Sequence, residues 1–467
     1  MEFCRDWWMR KLIMGSDEKE NKENDPRDDV IYQRFATSTN RKVLVKNHRR
    51  IRRRNRKKIR SENRSGFALW IFQIRCGKIR RKIHSVGTYP KCANPTVKIA
   101  AIQPAKKARN NDLQKTRMWT SILPLCAIMS VSSANLGWYR PEQVHLSYTG
   151  HPTTMTVTWT TFSWTPSVVE YNPLPGRPSF NLTAYGSVSI FVDGGPKRRK
   201  MFIHRVTVEN LEPGQKYVYH CGSSLGWSPE FSFRALQAGS SWGPRLAVYG
   251  DMGNENAQSL SRLQKETQME MYDAILHVGD FAYDMDEDDA QVGDEFMRQI
   301  ESVAAYVPYM TCPGNHEEKY NFSNYRNRFS MPGNTEGLWY SWDLGPAHII
   351  SFSTEVYFYL KYGQELVAKQ YRWLQKDLQE ATSSAHRSER PWVITMAHRP
   401  MYCTNFDSDD CVKHDSTIRT GLPGGQYALE ELFYKYGVDL EIWAHEHSYE
   451  RMWPVYNCTV SRLHMIA

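Results

Sequence analysis

The amino-acid sequence, 467 residues long, predicts an α/β sandwich domain preceded by an all-β sandwich domain. Two observations lead to this prediction. Between residues 243 and 456, short apolar runs typical of strands alternate with longer segments of helical periodicity. Between residues 138 and 236, Met155–Trp159 alternates apolar and polar residues, as a half-buried strand does, and Phe202–Val208 is typical of another strand.

The all-β domain carries a second signature, in Leu211–Tyr219. This segment combines a Pro-Gly turn with alternating tyrosines, and it resembles the loop and Tyr corner of fibronectin type III-like sandwiches. We interpret residues 138–236 as a scaffold whose loops border the site of the second domain.

The α/β domain is predicted from six apolar runs and four helical segments. The predicted strands are Leu246–Tyr249, Ile275–Val278, Val307–Thr311, Ile349–Ser353, Trp392–Met396 and Val438–Trp443. The predicted helices are Ala257–Tyr272, Asp294–Ala305, Leu366–Glu380 and Gln426–Tyr436. Strands and helices that alternate in this way indicate sheets covered by helices.

A short polar block follows five of the six strand-like runs. The blocks are Gly250–Gly253, Gly279–Tyr283, Gly314–Glu317, Ala397–Pro400 and Ala444–His447. Open α/β sheets place their sites at the carboxyl ends of the strands, so the five blocks are predicted to converge.

The blocks supply seven groups that bind metal ions. They are Asp251, Asp280, Tyr283, Asn315, His398, His445 and His447. Asp251 and the phenolate of Tyr283 are hard anionic oxygens, which favour Fe(III), whereas neutral amide and imidazole groups suit a divalent ion such as Zn, Mn or Fe(II). This inventory predicts a hydrolytic centre with two metal ions.

Spacing divides the seven groups between the two ions. His447 lies two residues after His445, and alternate residues of an extended segment point in opposite directions, so His447 faces the other ion. Asp280 has two carboxylate oxygens and can bridge the pair. Asn315, His398 and His445 are then assigned to the divalent ion.

These blocks resemble the motifs of the metallophosphoesterases, and the tyrosine in Gly279–Tyr283 narrows the resemblance to the purple acid phosphatases. His447–Arg451, followed by Trp453 and Pro454, is similar to the large, plant-like branch that animals also have. The resemblance covers residues 138–456. It implies an acid phosphatase that hydrolyses phosphate monoesters at an Fe(III)–M(II) centre, by in-line attack of a metal-bound hydroxide.

Two alternatives stay open. The same centre also suits a phosphodiesterase or nucleotide pyrophosphatase. The chain stops soon after the last histidine pair, where the family continues with further strands, so we expect a C-terminally truncated metallophosphoesterase domain, residues 243–456. A truncated, non-catalytic extracellular binding isoform is therefore the second alternative.

Two histidines are candidates for contacts with the substrate. His316 follows the ligand Asn315 and can face the substrate, where it would hydrogen-bond the phosphoryl group or protonate the leaving oxygen. Plant members bind substrate with two adjacent histidines at positions that here are Asp407 and Ser408. His414 lies further along this loop and is the candidate substitute; a solvated loop histidine is the alternative.

Charge separates an extension from the rest of the chain. Residues 1–117 contain 32 Lys and Arg against 11 Asp and Glu, whereas the net charge of the whole chain is +10. The rest of the chain is therefore acidic. The basic run Arg49–Arg60 is typical of a nuclear signal, of a nucleic-acid patch or of a disordered tract. We favour the disordered tract, and the predicted chemistry requires no nucleic acid as a partner.

The segment 118–134 resembles a secretory signal. Lys115 and Arg117 precede the apolar run Ile122–Met129, and small residues follow at Ser132–Ala134. The segment is marginal in length for a membrane span. We expect Met118 to be the start of the translated protein and the product to be secreted or lysosomal.

Three sequons and one cysteine pair agree with secretion. The candidate glycosylation sites are Asn181, Asn321 and Asn457. Cys403 and Cys411 are close enough in sequence to form a local disulfide across a loop. The expected partners are small phosphate esters, and the sequence does not determine the oligomeric state.

Overall fold

The computed structural model describes residues 137–175, 179–405 and 408–460, together with the backbone of one strand, β1 (Trp70–Gln73). An antiparallel β sandwich is followed by an α/β sandwich, which confirms the predicted fold class. The basic run Arg49–Arg60 and the signal-like segment 118–134 lie outside the described residues.

The β sandwich consists of two antiparallel sheets. The first contains β2 (Glu142–Ser147), β3 (Met155–Thr161), β6 (Ser187–Val192) and β7 (Lys200–Val208), in the order β2-β3-β7-β6. The second contains β4 (Val168–Pro173), β5 (Leu182–Tyr185), β8 (Lys216–Ser223) and β10 (Phe231–Arg234), in the order β10-β8-β4-β5, with β9 (Gly226–Trp227) beside β8. Trp159 and Tyr219 are fully buried in the core between the sheets.

The corner predicted in Leu211–Tyr219 is present. The backbone N–H of Glu212 donates to the phenol oxygen of Tyr217 at 2.9 Å, which ties the loop to the strand that follows it. Strand β3, however, is buried on both faces, so the prediction of a half-buried strand is wrong. Its polar face packs against the second domain, where the Thr158 hydroxyl donates to Ser330 Oγ at 3.0 Å.

The α/β domain contains two four-stranded mixed sheets. The first has the order β1-β11-β12-β13, with β11 (Arg245–Tyr249), β12 (Ala274–Val278) and β13 (Tyr309–Cys312) parallel to one another. The second has the order β14-β15-β16-β17, with β14 (Tyr340–Leu344) antiparallel to its neighbour and with β15 (Ala347–Ser351), β16 (Trp392–Met396) and β17 (Leu440–Ile442) parallel. A two-stranded ribbon follows, formed by β18 (Val455–Tyr456) and β19 (Thr459–Val460).

The helices cover the outer faces of these sheets. They are α1 (Leu260–Gln268), α2 (Glu287–Ala304), α3 (Lys319–Arg328), α4 (Gln364–Ala381), α5 (Ser384–Glu389), α6 (Thr417–Thr420) and α7 (Leu429–Tyr436). Val248 and Ile349 belong to the apolar core between the sheets. Phe296 of α2 packs in the core of the first sheet, and Leu374 of α4 packs in the core of the second. Among the described residues, the helices are too short or too polar to cross a bilayer.

Strand β1 corrects one prediction. It belongs to the extension that we expected to be disordered, yet Trp70–Gln73 pairs antiparallel with residues 245–248 of β11. Strand β11 would otherwise be an edge strand with unpaired N–H and C=O groups, and Trp-Ile-Phe has a high β-propensity. Disorder is therefore wrong for these four residues.

A buried arginine joins the two domains. Arg328, at the end of α3, is 1% exposed and donates to Gln143 Oε1 of the first domain at 3.0 Å. In the second domain it donates to Asp294 Oδ1 at 2.8 Å and to the Ala290 carbonyl at 3.0 Å. A guanidinium buried with its donors satisfied fixes the β sandwich against the domain that it supports.

A buried histidine on β15 of the second sheet, His348, is expected to make the free energy of unfolding depend on pH. His348 Nδ1 lies 2.8 Å from Asp343 Oδ1, and its Nε2 lies 3.0 Å from Asp377 Oδ2. Burial lowers the pKa of His348, but the two carboxylates outweigh it and raise the pKa to about 9. His386 and Arg390 also contact Asp343.

We predict that the free energy of unfolding falls as pH rises from about 6.5 to about 9. The raised pKa stabilises the fold below the unfolded-state value near 6.5, and this stabilisation, on the order of 3 kcal/mol, is lost as His348 deprotonates. Denaturant unfolding at pH 6.5 and 9.5 measures it. His348→Gln is the comparison, and an equal pH dependence in the variant would contradict the prediction.

Candidate metal centre

The seven predicted ligands lie in loops at the carboxyl ends of five parallel strands. Asp251 follows β11, Asp280 follows β12, Asn315 follows β13 and His398 follows β16, and the pair His445 and His447 follows β17. The ligands Asp251, Asp280, Tyr283, His445 and His447 have φ between +47° and +74°. Left-handed backbone is unfavourable for non-glycine residues, so five of the seven ligands occupy strained positions, which is typical of a functional site.

Two glycines allow the ligand loops to approach one another closely. A Cβ on Gly279, whose φ is +79°, would lie 2.5 Å from His398 Nδ1, and a Cβ on Gly314 would overlap the Asp280 carboxylate. A side chain at either position would push a ligand out of place.

Four ligand atoms meet around the His398 ring. Its Nδ1 lies 2.9 Å from the Val278 carbonyl, which can only accept, so Nδ1 carries the hydrogen in the neutral ring. The other nitrogen, Nε2, then presents a lone pair. It lies 3.3 Å from Asp280 Oδ2, 3.2 Å from Asn315 Oδ1 and 3.1 Å from His445 Nδ1.

His445 presents a lone pair in the same direction. Its Nε2 lies 2.7 Å from Asp409 Oδ2, and a carboxylate only accepts, so Nε2 donates and Nδ1 is unprotonated. With both rings neutral, as metal binding requires, lone pairs of two histidines, a carboxylate and an amide converge with no hydrogen between them. A cation resolves this arrangement, and the donors suit a divalent ion.

A second group lies beside the first. The phenol oxygen of Tyr283 lies 2.5 Å from His447 Nε2 and 3.3 Å from Asp251 Oδ1, and His447 Nε2 lies 3.3 Å from the same Asp251 oxygen. The His445 backbone N–H donates to Asp251 Oδ2 at 2.9 Å and so connects the two groups. A carboxylate from Asp251, a phenolate from Tyr283 and an imidazole from His447 fit a hard trivalent ion.

The electrostatics of the cluster favour positive charge. Burial lowers the pKa of His398, yet the charge of Asp280 outweighs it and raises the pKa to about 10. Burial and then the charge of Asp251 hold the pKa of the Tyr283 phenol far above its ordinary range. Both shifts reflect an excess of negative potential, which a metal cation neutralises.

A buried glutamate, which the sequence analysis did not single out, supports two ligand loops. Glu317 is 2% exposed and accepts the backbone N–H groups of Asp280, Phe281 and Gly314 at 2.8–3.0 Å. Burial, followed by the charge of Asp280, raises the pKa of Glu317 to about 8. Its position in the Gly314–Glu317 block is the sequence feature from which this role could have been predicted.

The two histidines predicted to contact substrate differ in position. His316 is part of the cluster: its backbone N–H donates to Asp280 Oδ1 at 3.0 Å, and its Nδ1 lies 2.9 Å from Asp284 Oδ1. His414 is exposed and, among the described residues, has no hydrogen bond to any of the seven ligands. Asp407 lies outside the described residues.

The remaining predicted sites lie at the surface or beside the centre. Asn181, Asn321 and Asn457 are exposed, and their glycosylation stays a prediction. Cys403 and Cys411 form a disulfide that closes the loop carrying Asp409. No sequence pattern pointed to Asp409, because it lies in a loop far from His445 along the chain.

Comparison with known proteins gives matches over both domains. Residues 141–235 match the family described as "Purple acid Phosphatase, N-terminal domain", and residues 244–449 match "Calcineurin-like phosphoesterase". Acid phosphatase type 7 of Homo sapiens is 64% identical over 320 residues, which are 68% of this chain and 72% of that protein. Acid phosphatase type 7 of Danio rerio is 60% identical over 329 residues, 69% of this chain and 73% of that protein.

A solved structure shares the fold. Purple acid phosphatase PPD1 from yellow lupin (Lupinus luteus) seeds is 25% identical, with a TM-score of 0.55 over 68% of this chain and 60% of that chain.

We predict that Asp409→Asn weakens retention of the divalent ion about 10- to 100-fold, because an amide no longer holds the His445 tautomer as a carboxylate does. Metal content after dialysis against graded chelator measures the change. Asp415→Asn, an exposed position of the same loop, is the matched control. Equal retention in the two variants would show that Asp409 does not orient the ligand.

Proposed function

The chain belongs to the purple acid phosphatase family, and from this premise we propose that it is an acid phosphatase that hydrolyses phosphate monoesters at two metal ions. The observation that carries the proposal is the convergence of seven ligand groups, in which lone pairs of His398, His445, Asp280 and Asn315 face one another.

In the proposed centre, the two groups of residues hold different ions. Asp251, Tyr283 and His447 would hold Fe(III); Asn315, His398 and His445 would hold the divalent ion, Zn, Mn or Fe; and Asp280 would contact both. When bound, the pair supplies positive charge for the phosphoryl group and activates water as the nucleophile.

His316 is proposed to act on the substrate. Asp284 accepts from its Nδ1–H, which fixes the ring and leaves Nε2, 3.9 Å from Asp280 Oδ2, beside the cluster. From there Nε2 would hydrogen-bond the phosphoryl group or deliver a proton to the leaving alkoxide oxygen. The Tyr283 ring, 4.6 Å from the His316 ring between centroids, limits the other positions of the imidazole.

We also propose that the protein is secreted or lysosomal. The signal-like segment 118–134 supports this, as do the exposed sequons at Asn181, Asn321 and Asn457. The Cys403–Cys411 disulfide is of the kind that persists in oxidising compartments.

The proposal that Tyr283 binds Fe(III) predicts that the protein is coloured. The purified, iron-loaded protein should show a broad visible absorption from the tyrosinate and should hydrolyse a phosphate monoester faster than a diester. Tyr283→Phe should lose the absorption and retain part of the activity, because one ligand of several is removed. Absorption spectra and metal content test this, and a coloured Tyr283→Phe protein would contradict the assignment.

Asp280 and His414 should differ in importance. We expect Asp280→Asn to lower kcat/KM for a monoester at least about 100-fold, because it removes a negative charge between two cations. His414→Ala should change kcat/KM less than about tenfold, since it removes at most one substrate contact. Steady-state kinetics measure both changes in kcat/KM. A larger loss in His414→Ala than in Asp280→Asn would mean that the loop carrying His414 belongs to the reaction centre.

A further inference from the structure

Arg399 immediately follows the ligand His398 and is held rigidly at the edge of the cluster. Its Nε lies 3.1 Å from each carboxylate oxygen of Glu355, which is fully buried. Its guanidinium carbon lies 4.5 Å from the centroid of the Phe358 ring. A guanidinium fixed by a carboxylate and a ring loses little conformational freedom when it binds a ligand.

The outer end of this guanidinium meets a second donor. Nη1 lies 3.1 Å from His445 Nε2, and Asp409 Oδ2 lies 2.7 Å from the same nitrogen. Because the carboxylate only accepts, His445 Nε2 is the donor to Asp409 and cannot also accept from Arg399. The nearest Asp409 oxygen to Nη1 is 3.9 Å away, beyond a hydrogen bond. Among the described residues, Nη1 therefore brings a cationic donor to the His445 side of the cluster without an acceptor at that contact.

We propose that Arg399 binds the phosphoryl group of the substrate and makes the site selective for dianionic monoesters. The planar fork of an arginine matches a pair of phosphate oxygens. A monoester has three non-bridging oxygens and up to two negative charges, whereas a diester has two such oxygens and one charge. The added cation therefore favours the monoester. This inference rests on the proposed phosphatase function and names the residue that selects its substrate class.

Arg399 and His316 border different parts of the cluster. His316 contacts Asp280 and Tyr283, and Arg399 contacts His445. The exposed His414 contributes to neither. Arg399 thus supplies a half-buried, oriented anion contact on the side where the sequence offered only an exposed loop histidine.

The test compares Arg399→Gln with Arg387→Gln in the full chain loaded with iron and zinc. Arg387 is a matched control, because it is also an arginine paired with a carboxylate. Its partner Asp439 directly precedes β17, at the end of the second sheet opposite to the ligands. Calorimetric titration with inorganic phosphate should show at least tenfold weaker binding in Arg399→Gln and no change in Arg387→Gln, with metal content equal to the parent protein. The monoester kcat/KM should fall at least tenfold more than the diester kcat/KM, and Arg399→Lys should recover part of the loss.

Unchanged phosphate affinity in metal-loaded Arg399→Gln would overturn the inference, as would an unchanged ratio of monoester to diester rates. If the single variant loses metal because Glu355 is left unpaired, Arg399→Gln combined with Glu355→Gln removes that charge and provides the same comparison. A parent protein that binds phosphate through Arg399 yet hydrolyses no ester would refute only the proposed phosphatase function. Hydrolysis with phosphate binding independent of Arg399 would refute only this inference.

Discussion

The α/β domain brings together groups that repel one another in the absence of a cation. When its ring is neutral, Nε2 of His398 faces three atoms with lone pairs, among them a carboxylate oxygen of Asp280. Five ligand residues also have left-handed backbone, which costs on the order of 1 kcal/mol or more for each residue. Bound cations offset both costs, so the rest of the fold acts to hold this arrangement until they bind.

The support for the cluster comes from several layers of the structure. The apolar core between the two sheets sets the distance between their carboxyl ends. Glu317 ties the loops after β12 and β13 together through three backbone N–H groups. Arg328 and the Tyr219 hydroxyl, which donates to the Ala305 carbonyl at 2.7 Å, join the β sandwich to the helices beneath the site. These contacts fix the β sandwich to the domain that carries the ligands.

The sequence predicted the fold class because apolar runs and helical periodicity reflect burial, and burial decides the layers. Boundaries were less accurate: the predicted helix Gln426–Tyr436 begins only at Leu429, because Tyr427 has a φ of +64° that a right-handed helix excludes. The supporting residues Glu355, Arg399 and Asp409 were not predicted. Their roles depend on contacts between loops distant in the chain, which leave no periodic pattern; this holds even for Arg399, which lies in the block Ala397–Pro400. The ligands themselves occur in short blocks whose chemistry is visible locally.

The division of the ligands between two sheets has a consequence for biosynthesis. Asp251, Asp280, Tyr283 and Asn315 are synthesised first and offer oxygen donors, while His398, His445 and His447 leave the ribosome later and bring all the nitrogen donors. The first sheet alone therefore offers four of the seven ligand groups, and their oxygen donors are the ones with the least preference for zinc-like ions. Each of the two ligand groups takes residues from both sheets, so neither group is complete before the sheets have packed together.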